Sequence, residues 1–200
     1  MVTLAVALSP PLDSRADAGL PAHMVQHVLL TMVAAPLVAA GLTRVPRVHP
    51  VLAWIAFAAT GWVVHFTGFF EAAAEHVPVH VAEHALLFGT ALLFWSVVVG
   101  PGATMSYPLR LLYLAVAMPQ NTFLALAIMM SGTVLYPHYA GGRDPLGDQR
   151  TGAGIMWLAG DLLLLGAVLL MAAAWARHEE RENLLSEQAA DRAPSPRTAG

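Results

Sequence analysis

The chain has 200 residues, a formal net charge of −3 and a strongly apolar composition. Hydrophobic residues make up 57% of it and charged residues only 12%, about half the charged share that is usual in a soluble domain. All ten basic residues are arginine and no basic tract is present, which argues against nucleic acid as a partner. The absence of cysteine excludes disulfides, iron–sulfur clusters and thiolate metal sites.

Apolar stretches define the elements in chain order. A bilayer core about 30 Å thick needs roughly 20 apolar residues per helix. Residues 2–12 are apolar but too short to span, and no basic region precedes them as in a signal peptide. Five later stretches are long enough and predict an all-α, polytopic membrane helix bundle: residues 24–42, 51–70, 79–99, 109–131 and 152–175. We expect one transmembrane domain over residues 1–176 and a charged, disordered tail over 177–200.

The arginines predict an orientation for these spans. Arg44 follows the first span, Arg110 opens the fourth and Arg177 follows the last. Cytoplasmic loops carry an excess of basic residues, so these ends are expected in the cytoplasm, together with the C-terminus. The N-terminus and the loops near 71–78 and 132–151 are then expected outside. The tail at 177–200 is therefore predicted to be cytoplasmic.

Seven of the nine histidines fall at the predicted outer ends of the spans or in the outer loops. His23 and His27 are four residues apart on one helix face, and so are His80 and His84 on another. His65 lies near the outer end of the second span, while His76 and His138 lie in loops. Imidazole is the commonest metal ligand at neutral pH, so this group of histidines at a similar depth predicts a metal or haem site.

Three other side chains are secondary candidates for that site. Met24 lies beside the first histidine pair and offers a soft thioether, although methionine is also an ordinary core residue. Glu83 lies three residues after His80, where it would join the site or simply favour the first turn of a helix. Met156 lies near the outer end of the last span.

Two polar features lie deeper in the predicted bundle. Residues 119–121 (Pro-Gln-Asn) interrupt the fourth span near its middle, and a kink with helix-to-helix hydrogen bonds is the favoured interpretation. Asp161 lies about midway along the last span, where a charge is expensive. A proton-relay role for it has no partner in the sequence.

The ordered motifs resemble those of the CtaG-type assembly factors of bacterial caa-type cytochrome c oxidases. The matching blocks are His23-Met24-x-Gln26-His27, Trp62 to His65, His80-x-x-Glu83-His84 and Asp148-Gln149-x-x-Gly152. The family has about seven spans, so the resemblance implies a shortened member or a start farther upstream. Thr67 stands where the family often has proline.

The resemblance implies a non-enzymatic protein of the bacterial plasma membrane that helps copper reach the oxidase catalytic subunit. The implied copper ligands are His23, His27, His65, His80 and His84, with Met24, Glu83, Asp148 and Met156 as secondary candidates. It also implies that Asp148 and Tyr139, from an outer loop, orient an imidazole.

Two other functions fit the same residues. In a b-type membrane cytochrome, His27, His65 or His84 would be axial ligands of haem b. In a zinc-dependent intramembrane hydrolase, Glu83 or Asp148 would be the general base. Membrane lipid is an expected partner in every case. Histidine pairs at i and i+4 serve equally within one chain or across a homodimer interface.

Overall fold

The computed structural model describes residues 19–44, 48–101, 103 and 105–192, and within these ranges it is helical without β-strands. The predicted segment 2–12 lies outside the described residues. The helices are α1 (Leu20–Gly41), α2 (Pro50–Phe66), α3 (Phe69–Glu75), α4 (Val77–Val99), α5 (Tyr107–Met129) and α6 (Pro145–Arg192). A short 3₁₀ turn, Pro137–Tyr139, precedes α6.

The expected class of fold, a helical membrane bundle, is confirmed. In the described part of the chain four helices are long and apolar enough to cross a membrane, and α2 with α3 makes a fifth if that bent pair is one span. Each of the five longer helices has proline in its first turn, where the missing N–H costs nothing. The structure places their starts one to seven residues before the predicted ones.

The predicted span 51–70 is not one straight helix, because the chain bends within it. The helix ends at Phe66, and α3 leaves it at an angle of 66°. Thr67 fixes the break, because its hydroxyl donates to the Val63 carbonyl at 2.7 Å and accepts from the Phe69 amide at 3.2 Å. Since α2 alone has 17 residues and is about 25 Å long, α3 lies across the end of the bundle.

A π-helical segment, Leu29–Ala34, interrupts α1 just after His27. The Thr31 hydroxyl donates to the His27 carbonyl at 2.7 Å, and the Thr31 carbonyl accepts from the Trp95 indole of α4 at 2.8 Å. Wide turns of this kind are frequent at functional sites. Here the segment changes the rotation of α1 below the histidine pair and ties α1 to α4.

The last helix is longer than the predicted span 152–175 and corrects the boundary of the predicted tail. It continues through Arg192, so residues 177–192 are helical, and 193–200 lie outside the described residues. Residues 177–192 contain no glycine or proline and are rich in Glu, Arg, Leu and Ala, which are strong helix formers. At 48 residues, α6 is about 72 Å long and extends well beyond a bilayer core.

Packing leaves the two ends of the bundle chemically different. α4 packs against α1, α2 and α3, while α6 packs against α5 and α1 around a core that includes Val64, Phe94 and Leu164. At one end Tyr107 and His178 make a ring contact at 5.3 Å, and Arg110 donates to the Val98, Ala103 and Met105 carbonyls. The other end holds the start of α1, the end of α2 and the start of α4, where the histidines lie.

Candidate metal centre

Five imidazoles from three helices converge at that end of the bundle. Ring centroids of His23 and His27 on α1 are 4.4 Å apart, and those of His80 and His84 on α4 are 4.2 Å apart. His23 is stacked on His80 at 5.4 Å. On the other side of the cluster His27 meets His65 from the end of α2 at 5.8 Å.

Four of these side chains have the spacing of a metal site. His23, His80, Glu83 and His84 each offer one ligand atom, and these atoms lie within 4.8 Å of one another. Two ligands of one ion, each about 2.1 Å from it, are at most about 4.2 Å apart, so small side-chain rotations complete the set. The Nε2 atoms of His80 and His84 are hydrogen-bonded to each other at 3.1 Å, and this separation is close to the ~3.3 Å between two nitrogen ligands of a tetrahedral metal ion.

Glu83 supplies negative charge at the centre of the cluster. Its side chain is fully buried, with its carboxylate oxygens 3.6 Å from His23 Nε2 and 3.8 Å from His27 Nε2. Neither oxygen has a hydrogen-bond partner among the described residues. Because an isolated buried carboxylate is very costly, this position favours a proton on the carboxyl group or a positive charge beside it, from protonated imidazole or from a metal ion.

Several buried imidazole nitrogens are also unsatisfied. His23 Nε2, both ring nitrogens of His27 and His65 Nε2 have no hydrogen-bond partner among the described residues. Buried polar atoms in folded proteins are nearly always paired, so a group of orphans in one place needs an explanation. Lone pairs beside a carboxylate in a buried site fit the chemistry of a bound metal cation.

Outer contacts orient two of the imidazoles. His65 Nδ1 lies 2.8 Å from the Gly61 carbonyl, which only accepts, so Nδ1 carries the hydrogen and Nε2 keeps its lone pair. The Tyr139 hydroxyl lies 3.1 Å from His23 Nδ1. Bonds of this kind to the second ring nitrogen are typical of metal-binding histidines.

Aromatic residues cover the cluster. Phe70 of α3 lies 5.0 Å from the His23 ring and 5.7 Å from the His65 ring. Tyr136 contacts Phe70 at 4.4 Å and donates to the His65 carbonyl at 3.4 Å. Burial raises the pKa of Tyr136, so it stays a neutral donor. This aromatic cover was not expected from the sequence.

Gln149 anchors the loop that carries both tyrosines. It is 1% exposed, its Oε1 accepts from the Leu135 amide at 2.8 Å, and its Nε2 lies 3.2 Å from the Ile128 carbonyl and 3.3 Å from that of Thr133. All its hydrogen-bonding groups are thus used at the start of α6. The sequence analysis named Gln149 only as part of a motif. Its anchoring role could not be predicted, because it depends on where the loop lies in the folded chain.

The structure gathers most of the predicted site residues but not all. His23, His27, His65, His80, His84 and Glu83 come together, and Tyr139 reaches His23 as expected. Asp148 is exposed, and among the described residues no contact joins it to an imidazole. Met24 is fully buried against α6, with its Cγ 3.1 Å from where a Cβ on Gly152 would lie. Met156 lines a neighbouring cavity with His27 and His65.

Fold and site together define a polytopic membrane protein with a buried histidine–carboxylate cluster at one end of its helix bundle. The sequence model of the cytochrome c oxidase caa3 assembly factor family, Caa3_CtaG, matches residues 1–178. The chain belongs to this family, which confirms the resemblance seen in its motifs.

Its relatives include three mycobacterial proteins described as uncharacterised. Those of Mycobacterium bovis and Mycobacterium tuberculosis are each 30% identical to it over 153 residues, and that of Mycobacterium leprae is 28% identical. The matched segment covers 72% of this chain but only 23% of each relative. The chain therefore corresponds to about a quarter of these longer proteins. No solved structure matches it.

Proposed function

We propose that this protein binds copper at the cluster of His23, His80, Glu83 and His84 and aids its delivery to the catalytic subunit of a caa3-type oxidase. The observation that carries this proposal is the convergence of three imidazoles and one buried carboxylate within 4.8 Å. Membership of the assembly-factor family supplies the biological setting.

Copper suits this donor set. Among divalent first-row metals Cu²⁺ binds nitrogen and oxygen ligands most tightly, and imidazole is a good ligand for it. The chain has no cysteine, so binding does not depend on thiols that an oxidising compartment would convert to disulfides. The arginine distribution supports an extracytoplasmic position for the cluster.

The exposure of the four ligands suggests how an ion would be exchanged. His23, Glu83 and His84 are buried, whereas His80 is half-buried. A partner protein would therefore reach the ion on the His80 side, and replacement of this one ligand would begin transfer. A carrier needs such an accessible ligand, since a fully enclosed ion leaves slowly.

The site geometry favours a metal ion over haem b. The imidazoles face one another across 4–6 Å, and the cavity beside His27 and His65 has a volume of about 50 Å³. Pockets for organic cofactors are roughly 300–1,000 Å³. Three histidines with a carboxylate also make a zinc donor set, so zinc is the alternative metal that the experiment must separate.

Metal analysis of the detergent-purified full-length protein tests the proposal. We expect one tightly bound copper after loading, and a loss of affinity on the order of 100-fold or more in His80→Ala/His84→Ala and in His23→Ala/His27→Ala. His76→Ala and His138→Ala are matched controls, because both residues are exposed and outside the donor set. Full copper retention by the double variants, or zinc bound in preference to copper, would overturn the copper site.

Oxidase assembly needs a separate measurement. In a strain deleted for the gene, we expect oxidase activity and the copper content of the enzyme to fall together, and wild-type protein to restore both. The His80→Ala/His84→Ala variant is expected to restore neither. Normal oxidase in the deletion strain would refute the assembly role even if copper binds.

A further inference from the structure

We infer a second, softer metal site directly inside the first, formed by His27, His65, Met32 and Met156 and suited to a monovalent, copper-like ion. It rests on the proposed function, because an ion reaching it would pass the outer site. Unlike that site, it contains two thioethers and no carboxylate.

A small cavity between the helices carries the inference. It has a volume of about 50 Å³ and lies among α1, α2, α4, α5 and α6. Its lining includes two imidazoles, His27 and His65, and two thioethers, Met32 and Met156. Both methionines are 7% exposed. By the same measure a single water molecule needs about 10–15 Å³, so the cavity is large enough for a desolvated ion.

Both imidazoles have a free lone pair in this buried place. His27 is 3% exposed and His65 is 5% exposed, and His65 Nε2 and both His27 nitrogens are without hydrogen-bond partners in the described structure. The Gly61 carbonyl accepts a hydrogen bond from His65 Nδ1, so the ring hydrogen of His65 is on Nδ1 and not on Nε2. His65 Nε2 is therefore fixed as an acceptor of protons or metal.

The ligand types predict which ion each site prefers. Thioethers are soft ligands that select Cu⁺, whereas the carboxylate and imidazoles of the outer site suit divalent ions. Charge acts in the same direction. The desolvation cost of an ion rises with the square of its charge, so a cavity without a carboxylate accepts a monovalent ion far more readily than a divalent one.

His27 connects the two sites. Its Nε2 lies 3.8 Å from Glu83 Oε1 of the outer group, while the same residue lines the inner cavity. Rotation of the His27 ring would therefore bring its nitrogens toward Glu83 of the outer site or toward the inner cavity. An ion in the inner site would lie between the helices rather than at the accessible His80 side.

Silver(I) and zinc(II) titrations of the full-length protein in detergent test the inference. Ag⁺ is a redox-inert mimic of Cu⁺, and Met→Leu changes conserve volume. We expect Met32→Leu/Met156→Leu to weaken Ag⁺ binding at least about tenfold, equivalent to ~1.4 kcal/mol, and to leave Zn²⁺ binding unchanged. Met130→Leu is the control, because Met130 is 79% exposed. His80→Ala/His84→Ala should give the opposite pattern.

X-ray absorption of the silver-loaded protein gives a second measurement. We expect sulfur neighbours of the metal in the wild type and in Met130→Leu, reduced in each single variant and absent from the double one. The single variants keep the test available if the double variant fails to fold. Only nitrogen and oxygen neighbours in the wild type, or unchanged Ag⁺ affinity in Met32→Leu/Met156→Leu, would overturn the inner site.

The two proposals fail in different ways. An absent inner site leaves copper binding sensitive to His80→Ala/His84→Ala, so the proposed function survives. Copper retained by that variant but lost from Met32→Leu/Met156→Leu refutes the outer site and supports the inner one. A wild-type protein that binds neither copper nor silver refutes both.

Discussion

Glu83 and Asp161 are carboxylates on two helices of the bundle, and their surroundings differ completely. Glu83 is fully buried at the histidine end, and its oxygens have no hydrogen-bond partner among the described residues. Asp161 lies deeper on α6, where one oxygen accepts from Asn121 Nδ2 at 2.9 Å and the other from the Thr122 hydroxyl at 2.7 Å. The same type of group is thus satisfied in one place and unsatisfied in the other.

This is the difference that we expect between a structural helix–helix contact and the proposed metal site. Asn121 also lies 3.4 Å from the Met156 carbonyl, so α5 and α6 are joined by three polar contacts in the membrane interior. Such contacts hold helices together where apolar packing discriminates little between protein and lipid. Around Glu83, both carboxylate oxygens, His23 Nε2 and the two His27 ring nitrogens have no hydrogen-bond partner among the described residues, and a cation would satisfy them together.

Replacing Glu83 by Gln should have the largest effect on metal binding. Glu83→Gln keeps the volume but removes the only anionic ligand of the outer site, so we expect copper affinity to fall on the order of 100-fold. Stability of the metal-free protein should not fall, because the change removes the cost of burying a carboxylate whose oxygens have no hydrogen-bond partner among the described residues. Chelator competition and thermal unfolding measure the two effects. Unchanged copper affinity would show that Glu83 is not a ligand.

Asp161→Asn is the matched change at the satisfied carboxylate. One of its two donors would then face an amide N–H instead of an oxygen, and we expect unfolding free energy to fall by about 1–3 kcal/mol. Copper affinity should be unchanged. Thermal unfolding and copper titration in one detergent check both statements. A loss of copper affinity without a loss of stability would show that Asp161 belongs to the metal site and not to the α5–α6 contact.

The sequence predicted the cluster well because its determinants are local. A spacing of four residues places two imidazoles on one helix face. The positions of the span ends and of the arginines indicate that the histidines of different helices lie at a common depth. His23, His27, His65, His80, His84 and Glu83 indeed meet. The Asn121 hydrogen bonds to α6 likewise follow the interpretation favoured for residues 119–121.

What the sequence did not predict depends on tertiary contacts. The apolar run 51–70 predicted one continuous helix, whereas the observed end at Phe66 depends on Thr67 side-chain bonds that form only in the folded chain. Nor does composition distinguish Met24 from Met32. In the structure Met24 packs against α6, whereas Met32, within the π-helical segment of α1, lines the cavity. Phe70 covers the site only because of the bend.

A glycine substitution tests the α5–α6 joint from the other helix. A Cβ on Gly160 would lie 2.7 Å from Asn121 Nδ2, so Gly160→Ala must displace that amide from Asp161. We expect a loss of about 1 kcal/mol in unfolding free energy, without loss of copper. Gly166→Ala is the control, because nothing lies within 4 Å of its Cβ position and alanine favours helix. Equal melting temperatures for the two variants would contradict this account.

The smallest expected effect concerns an outer contact of the metal site. Tyr139→Phe removes the hydroxyl that lies 3.1 Å from His23 Nδ1 but keeps the ring. A net hydrogen bond contributes about 0.5–1.5 kcal/mol, so copper affinity should fall about twofold to tenfold, less than in Glu83→Gln. A merely structural role would lower stability alone, whereas an orienting role would also shift the copper(II) absorption bands as the His23 ring turns. Tyr107→Phe, at the opposite end of the bundle, should change neither, and unshifted bands in Tyr139→Phe would refute the orienting role.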